Sequence, residues 1–130
     1  MTTKNLLEYE LTATILKCCY EVIDELGWGF LESIYKIAIC LSLQDAQILV
    51  ELEKPFEVFF KERKVGHYKA DIVANGKVLI EVKSCKNILP EHQAQVINYL
   101  KASNISTGLL INFGNQNLEY KRLYHPNSFN

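Results

Sequence analysis

Residues 70–83 read ADIVANGKVLIEVK. An Asn-Gly pair between two apolar stretches is a hairpin signal. The second stretch, Val78 to Ile80, runs straight into Glu81-Val82-Lys83. A continuous apolar run of this kind suits a strand covered on both faces. The chain must therefore bury a strand that carries a carboxylate and an ammonium near its end, beside a second carboxylate, Asp71, on the strand before. The period-2 geometry puts Leu79, Glu81 and Lys83 on one face and Val78, Ile80 and Val82 on the other. A two-residue Asn75-Gly76 loop would pair 74 with 77 and set Asp71 opposite Ile80, on the wrong face for Glu81. A three-residue loop, Ala74-Asn75-Gly76, pairs 73 with 77. Asp71 then faces Leu79 and lies diagonal to Glu81, with Gly76 at the left-handed third position. The three-residue loop is expected.

The rest of the chain alternates in type. Leu7, Leu11, Thr14, Ile15, Cys18, Val22 and Leu26 keep a helical period, which predicts a first helix over 3–25 with Thr3 as its cap. Gly27-Trp28-Gly29 interrupts it. A second helix is expected over about 30–45, with Leu31, Ile34, Ile37, Ala38 and Leu41 as its core stripe. Residues 48–60 read as a strand, with Pro55 marking an edge. KERK at 61–64 reads as a charged turn, followed by strands at about 65–73 and 77–83. Pro90 suits the first turn of a third helix, about 90–102. TGLLINF at 107–113 is a buried-type strand and LEYKRLY at 118–124 a more exposed one. The order is ααβββαββ, a mixed α/β arrangement.

With 130 residues and 48% hydrophobic content, one domain over 1–130 with a real core is expected. No apolar run approaches the roughly 18 to 20 residues that span a membrane. MTTKNLLEYE lacks a signal peptide's apolar stretch, so a cytoplasmic protein is expected. Cys18, Cys19, Cys40 and Cys85 form no C-x-x-C pair and read as free, mostly buried thiols. The net charge of −1 divides unevenly. Residues 1–60 hold four lysines against ten acids, a net of −6, and residues 61–130 hold ten basic residues against five acids, a net of +5. The basic half, which contains Asp71, Glu81 and Lys83, suits contact with a polyanion. The weakly acidic whole argues against non-specific coating of DNA.

Two carboxylates and an ammonium on one side of a sheet have two readings. One is an exposed salt-bridged face. The other is a magnesium-type site, since hard divalent ions take one or two carboxylates plus water and phosphate oxygens. In EHQAQVINYLK, His92, Gln95 and Tyr99 form one polar stripe, while Ala94, Ile97 and Leu100 can face the core. Glu32 opens the second helix, a position that also suits an acid for electrostatic reasons alone.

Asp71, nine residues, then Glu81-Val82-Lys83 resembles the D…E-x-K core of the PD-(D/E)XK nuclease superfamily. Gln95-x-x-x-Tyr99 is similar to the Q-x-x-x-Y element of its exonuclease-like branches. Gly29-Phe-Leu-Glu32-Ser-Ile-Tyr35 matches the G-x-x-E-x-x-Y signature that names a small bacterial and archaeal family in the same superfamily. The proline usually written before the first Asp is Ala70 here. The resemblance spans about residues 5–124. It implies a single restriction-endonuclease-like domain, a mixed central sheet flanked by helices. It implies a site of Glu32, Asp71, Glu81, Lys83, Gln95 and Tyr99. Asp71, Glu81 and the Val82 carbonyl would hold Mg2+ or Mn2+, with Glu32 touching it directly or through water. Lys83 would position water, Gln95 would orient Lys83 or a phosphate, and Tyr99 would brace it. The activity implied is metal-dependent phosphodiester hydrolysis of nucleic acid, DNA ahead of RNA. The alternative is a nuclease-fold module that binds nucleic acid or protein without turnover.

Lys69, Lys86, Lys101 and Arg63 are candidate phosphate contacts. Trp28 reads as core or interface, and His92 as a helix-surface histidine near the site. Cys85 stands two residues past Lys83. The first helix offers a face for a homodimer or protein partner.

Overall fold

The computed structural model describes residues 8–128. The elements run α1 (Tyr9–Leu26), α2 (Glu32–Asp45), β1 (Val50–Phe60), β2 (Arg63–Ala74), β3 (Val78–Lys83), α3 (Pro90–Ser103), β4 (Thr107–Asn112) and β5 (Glu119–Tyr124). This is the expected ααβββαββ order. Thr3 and Leu7, the expected cap and first apolar residue of α1, lie outside the described residues.

The five strands stand in chain order, β1-β2-β3-β4-β5. All neighbours are antiparallel except β3 and β4, which pair in parallel across the α3 crossover. Parallel neighbours require such a crossover, and helices then cover the sheet. α1 and α2 lie over one face, packed on Ile72, Ala74, Val78, Ile80, Val82, Leu109 and Ile111. α3 covers the other with Val96 and Leu100, packed on Val73, Leu79 and Leu110. β3 and β4 are therefore shielded on both sides, which explains why KVLI and GLLI are continuous rather than alternating. Cys18, Cys19 and Cys40 are buried, Cys85 is half-buried, and all four are free thiols.

The hairpin register differs from the expected one. Ala74 pairs with Val78, Val73 with Leu79 and Ile72 with Ile80. The loop is three residues long, but it is Asn75-Gly76-Lys77. Asn75 and Gly76 both take positive φ (53° and 66°), and the Lys77 N–H donates to the Ala74 carbonyl at 3.0 Å. The Asn-Gly turn thus forms as a tight turn, and Lys77 is the extra residue that keeps parity. Continuing the register puts Asp71 directly across from Glu81, not diagonal to it.

The helix stripes also differ. α1 buries Thr12, Ile15, Leu16, Cys18, Cys19, Val22 and Ile23, while Thr14 and Leu26 are exposed. α2 buries Tyr35, Ile39, Cys40 and Leu43. Its expected stripe faces out: Leu31 is 73%, Ile34 41%, Ile37 50% and Leu41 58% exposed, and Ala38 is half-buried. α2 is apolar on two sides, so periodicity alone cannot choose which side meets the sheet. On α3, Val96 is buried with Leu100, and Ala94 is exposed. Trp28 is exposed as well.

This orientation of α2 makes a direct prediction. Leu43→Ala should lower unfolding free energy by about 2–5 kcal/mol, as for a buried leucine. Leu41→Ala should change it by about 0.5 kcal/mol or less. Urea denaturation of both variants checks this, and the reverse ranking would show that the other stripe faces the sheet.

Candidate functional site

The β2–β3 backbone ladder stops at Ile72–Ile80. Beyond it, side chains take over the backbone donors. The Asp71 N–H donates to Glu81 Oε2 at 2.8 Å, and the Val82 N–H donates to Asp71 Oδ2 at 2.8 Å. Each carboxylate is thereby held by a main-chain N–H of the strand pair, where an orphaned donor would otherwise be costly. Each keeps a second oxygen free of that clamp. Ala70 and Val73 pack under α3 while Ile72 packs under α1 and α2, so strict alternation is broken around Asp71. The facing position on β1, Glu53, has φ 52°. Such local irregularity re-aims a side chain, here along the sheet toward β3.

Glu81 is only 6% exposed. Burial pushes its carboxyl up to about 8, and the neighbouring charge of Asp71 adds to the rise. The Asp71 N–H and the Lys83 charge pull the other way without cancelling it.

The sequence reading missed two partners. Lys36 Nζ lies 3.5 Å from Asp71 Oδ1 and 3.4 Å from Glu53 Oε1. Burial opposes the charge of Lys36, but the Asp71 and Glu53 carboxylates outweigh it and lift the ammonium above its usual range. Glu53 continues the row of acids across three strands, Glu53, Asp71, Glu81. Its signal in the sequence is weak, because strand pairing between β1 and β2 is needed to see it. Lys36 was legible only as the residue after Tyr35, one helical turn past Glu32.

The other expected residues lie on the surrounding elements, at differing distances along them. Lys83 ends β3 two residues past Glu81 and is half-buried. Tyr99 stacks on Tyr68 at 3.9 Å between centroids, and its backbone carbonyl accepts from the Tyr68 hydroxyl at 2.7 Å. Burial raises the Tyr99 phenol, and the charges of Glu81 and Asp71 raise it further, so the ring lies within their field. Gln95 is exposed one turn earlier on α3. Glu32 is exposed in the first turn of α2. Burial raises the Cys85 thiol, with Lys83 opposing and Glu119 and Glu32 adding. Lys69, Lys86, Lys101 and Arg63 are all exposed. His92 takes a structural part, accepting the Leu89 N–H on Nδ1 at 3.0 Å at the start of α3.

A second set of bonds places the loop that carries Glu32. Tyr35 is fully buried and stacks on Phe113 at 4.3 Å. Its hydroxyl donates to the Gly27 carbonyl at 2.7 Å and accepts the Phe30 N–H at 3.0 Å. The Gly29 N–H donates to the Phe113 carbonyl at 2.9 Å, at φ 92°, a conformation suited to glycine. The Ser84 hydroxyl donates to the Phe30 carbonyl. On the far side, buried Asn112 ties down the segment after β3. It accepts from Cys85 N and Gly114 N at 3.0 Å each and donates to Cys85 O at 2.9 Å.

Among the described residues, no group of three or more His, Cys, Asp or Glu could by itself hold a metal ion. The donor set at this point is the Asp71–Glu81 pair. Two hard carboxylates set against each other, each with one oxygen outside the clamp, fit a magnesium-type ion, which takes few protein ligands.

The family model of the PD-(D/E)XK nuclease superfamily matches residues 9–123. Among solved structures, the crystal structure of SSO0001 superposes with a TM-score of 0.58 at 18% identity, covering 72% of this chain and 50% of that one. The match thus spans half the length of that protein, and at this identity it shows shared fold alone. No curated protein matches the chain.

The raised Glu81 carboxyl sets a pH dependence. In the unfolded chain a glutamate releases its proton near pH ~4.3. The folded-state contribution is therefore full below that pH and is lost as pH rises through about 8. Glu81→Gln keeps an acceptor for the Asp71 N–H and removes this loss. Thermal melts should show the variant matching wild type near pH 5 and exceeding it by on the order of 1–2 kcal/mol at pH 9. An equal difference at both pH values would contradict the assignment.

Proposed function

This chain belongs to the PD-(D/E)XK nuclease superfamily, and we propose that it hydrolyses phosphodiester bonds of nucleic acid, DNA ahead of RNA, in the cytoplasm. The observation that carries the reading is the reciprocal clamp that sets Asp71 and Glu81 against each other, two residues from Lys83. Asp71, Glu81 and the Val82 carbonyl would hold Mg2+ or Mn2+, with Glu32 reaching it directly or through water. The bound ion would supply Lewis-acid polarisation of the phosphate and a more acidic water.

The chain's own residues account for the rest. Lys83 hydrogen-bonds the attacking water and balances charge gathering on the phosphate. Water oxygen bonds to phosphorus and gives up one proton to solvent, the opposite P–O ester bond breaks, and the leaving oxygen takes up a proton from solvent. Gln95, exposed ahead of Tyr99, orients Lys83 or a phosphate oxygen, and Tyr99 braces it through its stack on Tyr68. Lys69, Lys86, Lys101 and Arg63 meet flanking phosphates. The G-x-x-E-x-x-Y signature supports a reading of the chain as one of the small family named for it. Within that signature Gly29 and Tyr35 shape the loop, and Glu32 is left to act. A protein partner or second copy would seat on the outer faces of α1 and α2, where Leu31, Ile34, Ile37 and Leu41 are exposed.

The alternative, a nuclease-fold binding module without turnover, draws on one observation. Lys36 already sits on the free oxygen of Asp71, so a built-in cation competes for the place of a metal.

Cleavage of end-labelled DNA and RNA, single- and double-stranded, with Mn2+ or Mg2+ separates the two. Wild type should cut, and Asp71→Ala and Lys83→Ala should each lower the rate by about 100-fold or more. Binding without cutting on every substrate, or cutting that survives Asp71→Ala, would favour the module.

A further inference from the structure

The β1–β2 hairpin outruns the rest of the sheet. β3 ends at Lys83, and extending the β2–β3 register puts Lys69 across from it. From there to the tip, β1 and β2 pair only with each other, Pro55 with Lys69 through Phe60 with Arg63. Six residues at roughly 3.3 Å each carry the tip about 20 Å beyond the site. The arm leaves the sheet at the end of β3 that carries Glu81 and Lys83.

An aromatic series runs out along it. Tyr99, beside the carboxylates, stacks on Tyr68, and Tyr68 stacks on Phe56 at 5.4 Å. Further out, Phe59 is 58% and Phe60 62% exposed. Phe59 lines a cleft of about 580 Å3 between the arm and α3, together with Asn98 and Lys101. Lys61 Nζ lies 5.3 Å from the Phe60 ring centroid. Arg63 pairs across from Phe60, and Lys64 from Phe59. Lys64 also meets Glu57 at 3.4 Å. Bare phenylalanines on a two-stranded arm invite aggregation unless a ligand covers them. Exposed flat rings with cations beside and across from them match one ligand chemistry well: unpaired bases on a phosphate chain.

We propose that the β1–β2 arm is a single-strand track. Unpaired bases stack on Phe59 and Phe60, while Lys61, Arg63, Lys64 and Lys101 meet phosphates. The proposal rests on the nuclease-site reading for where the strand comes from, but not for its binding. A single strand is favoured over duplex because paired bases already stack on one another and present no face to the rings. An apolar protein segment could cover the phenylalanines but would bring no anion to Lys61, Arg63 and Lys101.

Fluorescence anisotropy tests this with a fluorescein-labelled 12-nucleotide oligothymidylate and a 12-base-pair duplex, both in EDTA so that nothing is cut. Wild type should prefer the single strand. Phe59→Ala/Phe60→Ala should weaken that binding about tenfold or more, leaving the thermal melt unchanged because both rings are exposed. Equal affinity of wild type and the double variant, or tighter wild-type binding to the duplex, would overturn the track. Phenylalanine-dependent binding by a wild type that cuts no substrate with Mn2+ would uphold the track while the hydrolysis reading fails.

Discussion

Two main-chain N–H groups hold two carboxylates of adjacent strands face to face, and the rest of the site is arranged around that clamp. Burial raises Glu81, and the charge of Asp71 beside it adds to the rise, so the pair resists full ionisation. The fold keeps them together because the strand ends would otherwise leave the N–H groups of Asp71 and Val82 without acceptors. Lys36 relieves part of the excess negative charge from one side. A group of this kind weakens the protein where it stands, and sites for chemistry are where such local cost persists.

The surrounding structure serves to fix that end of the sheet. Tyr35 and Gly29 tie the loop before α2 to Phe113 at the end of β4. Asn112 staples the segment after β3 to the same place. Gly114 lets that staple form: a Cβ there would come within 1.9 Å of the Cys85 carbonyl oxygen. The C-terminal ends of β3 and β4 and the loop before α2 therefore meet beside Lys83. The sheet's two buried central strands supply the rigid base.

Much of this was legible in the residues. The continuous apolar runs identified the doubly covered strands, and the Asn-Gly pair identified the hairpin. Parity within KVLIEVK correctly joined Asp71 to Glu81, although Lys77, the extra loop residue, shifted the register by two positions. α2 misled the reading for a physical reason, being apolar on two faces, so that the stripe with the cleaner period is the exposed one. The roles of Lys36 and Glu53 were at most weakly legible, because both depend on pairing and packing between elements distant in the chain. Asn112 did carry a signal, a lone amide ending the apolar strand TGLLIN. His92, read as a helix-surface histidine, also holds the start of α3.

The most direct measurement is a calorimetric Mn2+ titration of wild type and Asp71→Ala at pH 7, repeated in two buffers of different ionisation enthalpy. If the clamp is a metal site, wild type binds the ion and releases a proton from Glu81, so the heats differ between buffers. Asp71→Ala then binds none. Binding that survives in the variant, or no binding in either protein, would contradict the account.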